Sequence, residues 1–217
     1  MKLLNSNESH TRRNTISTKI SCPGYTIELT QKGVCPNSAF KLRADVFCRE
    51  LKWVGHPSHM FEQDQFDEHV FHICLWVGNT VAGYLRIHPR FAPWMIEDVF
   101  QDHVPETVQL RNHGECEVSR LAVHPKYRKH SLPDGSNTVA TLYRALHVFC
   151  NLHRFHTCWM IITRRVLYSL KANGLPCEVF NACDLNSLDP KNDPVLSRLI
   201  WDKLEAAGEP FNGFNVI

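Results

Sequence analysis

The sequence predicts an α/β fold built on one mixed sheet, and three observations predict it. Strand-like runs alternate along the chain with apolar stripes of helical period. Phe71–Val77 and Thr80–His88 flank the turn pair Gly78-Asn79 and read as a β-hairpin. Thr157–Thr163 is a strongly apolar strand set between two helical patterns.

Taken in order, residues 1–21 are rich in Ser, Asn, Thr and basic side chains, and are expected to form a flexible extension. Residues 22–217 are expected to form a single domain. Tyr25–Gln31 alternates as a first strand would. Ala39–Leu51 places Phe40, Val46, Phe47 and Leu51 on a helical stripe. Trp53–Asp67, with Gly55 and Pro57, reads as a loop. After the hairpin, Pro89–Pro93 breaks the pattern, Met95–Phe100 looks like a short helix, and Val104–Asn112 has no clear period. Glu115–His124 reads as a strand ended by Pro125, followed by the basic loop Lys126–Asn137. Thr138–Leu152 is a helix through Leu142, Ala145, Leu146 and Phe149. Arg165–Asn173 is a helix that Gly174 stops. Cys177–Ala182 reads as a strand, Asp184–Pro194 as an acidic connection, and Val195–Ala207 as a last helix.

Composition narrows the function. The chain has 43% hydrophobic and 21% charged residues and a net charge of +2, which argues against a dedicated nucleic-acid binder. The basic loop carries no interleaved aromatic ladder for stacking bases. Nine cysteines without a Cys-x-x-Cys pair read as buried, reduced thiols. His56/His59 and His69/His72 are three apart, but no His-Glu-x-x-His accompanies them, so no metal site is expected. Residues 5–14 are polar and no run approaches the ~20 apolar residues of a membrane span, which predicts a soluble, cytoplasmic protein.

Two clusters carry the chemistry. Glu62-Gln63-Asp64-Gln65-Phe66-Asp67 puts three carboxylates just ahead of a strand, and Glu115–Val123 embeds Glu117, Ser119 and Arg120 in another. In a regular strand Glu117 and Ser119 share a face and Arg120 takes the other. Arg43 and Arg86 sit in otherwise apolar elements, where a charge must be paired to be tolerated. Asp64 and Asp67 equally suit turn or helix-cap positions, and Arg120 a structural ion pair.

A resemblance selects among these readings. Arg43-Ala44-Asp45-Val46-Phe47, then Trp53, then Glu62–Asp67 resembles the N-terminal signature of acyl-homoserine-lactone synthases. Gly83-Tyr84-Leu85-Arg86, Pro93-Trp94-Met95-Ile96 with Val99-Phe100, and Glu117-Val118-Ser119-Arg120 are similar to that family's later motifs. The resemblance runs from Arg43 to Arg120 and continues, more weakly, to Gly174. Cys116 and Leu121 depart from the family pattern, and Val123-His124-Pro125-Lys126-Tyr127-Arg128 resembles general N-acetyltransferases and long-chain N-acyl amino acid synthases instead.

The resemblance implies a GNAT-like acyltransferase fold, a central mixed twisted sheet flanked by helices. It implies transfer of a fatty acyl group from acyl carrier protein to the amine of S-adenosylmethionine, then lactonisation with release of methylthioadenosine. That scheme needs no cofactor besides its two substrates. Arg43, Phe47 and Trp53 would then form the acceptor pocket, and Asp64, Asp67, Arg86 and Arg120 an ion-pair network shaping it. Glu117 would be the base, with Glu62 second, and Ser119 a backbone support. Strand backbone N–H groups would meet the oxyanion. Lys126, Arg128, Lys129, Arg164 and Arg165 would receive the acidic carrier protein, and Thr157–Thr163 with Thr138–Leu152 would wall the acyl tunnel. The alternatives are an N-acyl amino acid synthase and a non-catalytic ligand-binding domain of the same fold.

Overall fold

The computed structural model describes residues 18–30, 34–175, 177–180 and 193–206. Eight strands form one sheet in the order β1-β2-β3-β4-β5-β6-β8-β7. They are β1 (Thr18–Cys22), β2 (Tyr25–Thr30), β3 (Phe71–Val77), β4 (Thr80–His88), β5 (Glu115–Val123), β6 (Thr157–Ile162), β7 (Cys177–Val179) and β8 (Val195–Ile200). All neighbours are antiparallel except β5 and β6, which run parallel across a helical crossover. The helices are α1 (Asn37–Arg43), continued by a π-helical stretch Ala44–Glu50, then α2 (Met95–Asp98), α3 (Thr138–His153), α4 (Arg164–Ala172) and α5 (Trp201–Ala206).

Both faces of the sheet are covered, which is why its central strands read as continuous apolar runs. Alternate residues of β3 and β4 serve opposite faces. Ile73, Leu75, Leu85 and Ile87 join Leu142, Leu146 and Phe149 of α3 and Leu170 of α4 in the larger core. Cys74 and Tyr84 turn the other way, onto Ala39, Leu42, Val46 and Phe47. Trp94 and Ile96 of the α2 region pack on Trp159 and Leu196. Cys116, Cys150 and Cys158 are fully buried in the larger core, with both neighbouring sulfur pairs 3.5 Å apart.

Local signals explain the element ends. The hairpin closes with Val77 opposite Thr80, and Gly78 takes φ +56° in the turn. The Asn137 side chain caps α3 by accepting from the backbone N–H groups of Val139 (2.9 Å) and Ala140 (3.2 Å).

The structure corrects several expectations. Residues 18–21 do not belong to an extension: they form β1, paired to β2 along its whole length, with Ile20 fully buried. Residues 1–17 lie outside the described residues, as do 184–192 of the acidic connection and 181–182 of the strand expected to end at Ala182. The expected last helix begins as a strand: Val195–Ile200 is β8, inserted between β6 and β7, and only Trp201–Ala206 is helical. Six ladder positions against β6 satisfy its backbone there, and burial of Val195, Leu196 and Leu199 outweighs the helical spacing. Among the described residues no helix is long and apolar enough to cross a membrane.

Candidate functional site

The site is assembled from a loop, the two central strands and the end of α1. Arg86, in the middle of β4, is fully buried. Its Nη1 donates to Asp64 Oδ1 (2.6 Å) and Asp67 Oδ1 (2.8 Å), its Nη2 to Asp64 Oδ2 (2.9 Å), and its Nε to Ser119 Oγ (2.7 Å). Arg43, equally buried, reaches Glu62 Oε2 (2.5 Å) through Nε and Asp67 Oδ1 (2.6 Å) through Nη1. Arg120 Nη2 donates to Glu62 Oε1 (3.1 Å) and Asp64 Oδ2 (2.9 Å), and its guanidinium lies 5.4 Å from the Phe47 ring centroid. Three guanidiniums therefore balance three carboxylates, the condition under which charge survives burial.

Both readings of the aspartates hold at once. Asp67 Oδ2 accepts the Asp64 backbone N–H (2.8 Å) and Asp64 Oδ1 that of Phe66 (3.1 Å). The same side chains shape the loop and hold the arginines.

Arg120 reaches this cluster because β5 is irregular. Arg86 pairs with Ser119 and Tyr84 with Ala122, so β5 spends one more residue than β4 over the same span. Arg120 absorbs it with φ +56°, a β-bulge with a left-handed non-glycine residue. The expected parity, with Arg120 facing away from Glu117 and Ser119, is overturned by that bulge. Ser119, expected to support the backbone, instead bonds the side chains of Arg86 and His88.

Two hydrogen-bond chains of the same kind run behind the carboxylates. Arg86 Nε donates to Ser119 Oγ, which is 2.8 Å from His88 Nε2, while His88 Nδ1 lies 2.8 Å from the Pro93 carbonyl. Arg43 Nη1 donates to Tyr84 Oη (3.4 Å), which is 2.7 Å from His72 Nδ1, and His72 Nε2 lies 3.3 Å from the Asp67 carbonyl. A carbonyl only accepts, so in each chain the ring nitrogen next to it carries the proton; in the neutral His88 ring the other nitrogen then accepts from Ser119. The sequence assigned no site role to His72, His88 or Tyr84, although Tyr84 stands in the Gly83–Arg86 motif and His72 in the His69/His72 pair. A signal was present: Tyr84, Arg86 and His88 are spaced by two on one strand and share a face.

A cavity of about 800 Å³ opens beside this network. Its lining includes Phe47, Trp53, Asp64 and Arg120 of the charged cluster, the apolar side chains of Tyr143, Leu146, Met160 and Val166, and Glu117 and Ser119. It exists because β5 and β6 pair only from Glu115–Glu117 to Thr157–Trp159. Beyond that point the parallel strands part and leave the cavity between Val118–Leu121 and Met160–Ile162. The expected tunnel walls, β6 and α3, do line it. Trp53 stands half-exposed at the rim, its ring 6.1 Å from that of Phe47. Arg43, Asp67 and Arg86 do not line the cavity; they are packed behind it, where they hold Glu62 and Asp64 in place. The expectation that Arg43 forms part of the acceptor pocket is corrected accordingly.

Proton affinities divide the carboxylates. Burial pushes Asp64 up, but Arg86, Arg120 and Arg43 outweigh it and hold the group at about 2. Glu62 and Asp67 are lowered in the same way, by Arg43 together with Arg120 and Arg86 respectively. Glu117 behaves oppositely: burial raises it to about 8, against weaker opposition from Arg86 and the Ile96 and Met95 backbone N–H groups. Its Oε2 takes no hydrogen bond from any described group. His88 is lowered to about 3 by burial and by Arg86, and stays neutral.

The expected basic patch is partly occupied. Arg128 is paired with Glu50 through two contacts of 2.6 Å, and Arg165 acts on the same carboxylate, which is lowered by Arg128. Lys126 and Lys129 are exposed beside them, and Arg164 opens α4 half-buried. Glu50 was not singled out in the sequence.

A family model described as an acetyltransferase (GNAT) domain matches residues 42–136, the span holding the acidic loop, β3, β4 and β5. The acyl-homoserine-lactone synthase of Aliivibrio fischeri is 25% identical over 173 residues, covering 76% of this chain and 86% of that protein. The crystal structure of the AHL synthase LasI superposes with a TM-score of 0.68 at 18% identity, covering 81% of this chain and 89% of that one. The CoA-dependent acyl-homoserine lactone synthase BjaI, solved with SAM and isopentyl-CoA, gives 0.65 at 20% identity, covering 79% and 80%. TofI, solved in a ternary complex with an inhibitor and MTA, gives 0.64 at 17%, covering 80% and 90%. The fold is the GNAT-like acyltransferase fold.

Proposed function

We propose that this chain, an acyltransferase similar to the acyl-homoserine-lactone synthases, moves a fatty acyl group from an acyl thioester to the amine of S-adenosylmethionine. The acylated intermediate then closes to an N-acyl-homoserine lactone as its carboxylate displaces methylthioadenosine. The observation that carries the reading is Glu117, a carboxylate with an unpartnered oxygen and raised proton affinity, lining one cavity with Asp64 and Arg120 of the charged cluster and with apolar side chains of α3 and β6.

The acceptor arrives as an ammonium and must lose a proton to attack. Glu117 is the base, because Asp64 and Glu62 are pinned in the ionised form by arginines and take up a proton poorly. The freed amine attacks the thioester carbonyl, and the oxyanion meets backbone N–H groups of β5 where it has parted from β6. Collapse expels the thiolate, which recovers the proton. Phe47, Trp53, Asp64 and Arg120 border the acceptor, and Arg43, Asp67 and Arg86 hold those groups rigid from behind. Fixing both reactants in this way is worth several kcal/mol of barrier. The acyl chain lies along Tyr143, Leu146, Met160 and Val166. Acyl carrier protein is the proposed donor, supported by exposed Lys126, Lys129 and Arg165, although the similar synthase BjaI is CoA-dependent.

The test is incubation with S-adenosylmethionine and an acyl thioester on either carrier protein or coenzyme A. Release of methylthioadenosine with an acyl-homoserine lactone is the expected outcome. An N-acyl amino acid without methylthioadenosine would mark the chain as an N-acyl amino acid synthase, and binding without turnover as a non-catalytic domain. The second donor arm reads which thioester is used.

A further inference from the structure

We propose that His88 is a positioning residue that links the arginine–carboxylate network to Glu117 by fixing the chain segment whose backbone N–H groups hold that glutamate. The proposal rests on the reading of Glu117 as the base.

The placement follows from register. His88 lies directly opposite Glu117 across the β4–β5 ladder, and Arg86 lies opposite Ser119. His88 is fully buried and spends both ring nitrogens, on Ser119 Oγ and on the Pro93 carbonyl, each at 2.8 Å. Pro93 stands two residues before Met95, and the backbone N–H groups of Met95 and Ile96 act on the Glu117 carboxylate. A continuous path therefore runs from Asp64 and Asp67 through Arg86, Ser119 and His88 to Pro93, and from there to the base. The segment has other anchors: Trp94 Nε1 donates to the Pro89 carbonyl (3.1 Å), and Arg111 Nη1 to that of Ala92 (2.9 Å). Among these anchors, His88 is the one bonded to Ser119.

The ring is neutral, because burial and the neighbouring Arg86 disfavour its charged form. With Nδ1–H given to the Pro93 carbonyl, Nε2 is then the acceptor and takes the Ser119 hydroxyl proton, while Ser119 Oγ accepts from Arg86. The groups facing His88 are Arg86, Asp64, Asp67 and the Phe66 ring, 5.7 Å away. Those facing Glu117 are Arg86, Glu97 and the two backbone N–H groups. Those N–H groups favour the ionised carboxylate, so loosening them raises its proton affinity further. A histidine that merely fills the core would move stability alone.

The experiment measures kcat and kcat/KM for lactone formation against pH in His88→Phe, His88→Gln and Ser119→Ala. His88→Phe is expected to lose about tenfold in kcat, less than the about 10²–10⁴-fold that loss of a general base costs, because the base is displaced and not removed. Its ascending pH limb should move up by about one unit as the N–H groups let go. His88→Gln carries a donor and an acceptor on one terminal amide and should restore the midpoint. Ser119→Ala cuts the same chain one link away, in a smaller side chain, and should reproduce the upward shift even where His88→Phe fails to fold. An unshifted midpoint in Ser119→Ala, or in folded His88→Phe, overturns the proposal. Glu117→Gln separates the two readings: full turnover there removes Glu117 as base, whereas a dead Glu117→Gln beside unshifted His88→Phe and Ser119→Ala profiles removes only the role of His88.

Discussion

The two sides of the cavity use the same side-chain type to opposite ends. Glu62, Asp64 and Asp67 meet three guanidiniums and stay ionised, whereas Glu117 is buried with no ion pair among the described residues and holds its proton to about 8. Burial raises all four carboxylates, so burial alone does not set their roles. What separates them is whether an arginine sits within hydrogen-bond distance. A paired carboxylate shapes and holds, and an unpaired one exchanges protons.

The largest effect should come from the unpaired side. Glu117→Gln keeps the volume and removes the base, and lactone formation is expected to fall about 10²–10⁴-fold with S-adenosylmethionine affinity little changed. Calorimetric titration beside a turnover assay separates the two quantities, and a loss confined to affinity would undo the contrast. On the paired side the expected loss is of stability instead. Arg86→Met strips Asp64 and Asp67 of a shared partner and should cost about 3–5 kcal/mol in chemical denaturation, the range for orphaning buried charge. A mild change there would mean that water or the other arginines replace it.

Much of this contrast was legible in the sequence, and its limits are physical. Three carboxylates in six residues and two arginines inside apolar elements announce a buried network, because an unpaired charge is not tolerated there. The hairpin was legible to the residue, since Gly78-Asn79 and the flanking runs specify it. The bulge was not: no glycine marks Arg120, and its positive φ is imposed by the β4–β5 register. Without the bulge Arg120 cannot be brought beside Asp64. The two histidine chains share that reason, since their partners depend on register and not on spacing in sequence. Nor was β8: apolar residues at 195, 196, 199 and 200 fit a helix, and only the free edge of β6 makes them a strand. Arg43 and Arg86 were legible as paired, but not as lying behind the cavity wall.

A change of pH sharpens the same contrast at smaller scale. The folded chain holds the Glu117 proton to about 8 against an ordinary 4.5, so between these values the unfolded chain has released a proton that the folded one keeps. Stability should fall with rising pH through that window by about 1.4 kcal/mol per unit from this group, and Glu117→Gln should flatten the slope in urea titrations from pH 5 to 8. Asp64 carries the opposite sign. Held at about 2 against 3.8, it supplies stability above 3.8 that is lost as pH falls toward 2, and Asp64→Asn should remove that acid-side loss. In catalysis, kcat/KM should rise with pH through a midpoint near 8 and level off above it, as the base of the free enzyme deprotonates.

The smallest effects belong to the surface, where a fifth carboxylate tests the rule under solvent. Glu50 is paired like Asp64, with Arg128 at 2.6 Å and Arg165 acting on it, yet both partners of the pair are part-exposed. Exposed pairs of this kind contribute about 0–1 kcal/mol, so Glu50 does not lock the patch as the buried carboxylates lock the cavity wall. It neutralises Arg128 at low cost and can yield to an acidic partner. Glu50→Gln should therefore lower the KM for a carrier-protein thioester severalfold at low salt, and Lys126→Glu with Lys129→Glu should raise it by a similar factor, both effects fading as salt screens them. The same variants assayed with a coenzyme A thioester give the control. If both donors respond equally, the patch recognises a phosphate that they share; if neither does, Lys126 and Lys129 are a solvated face and the donor enters elsewhere.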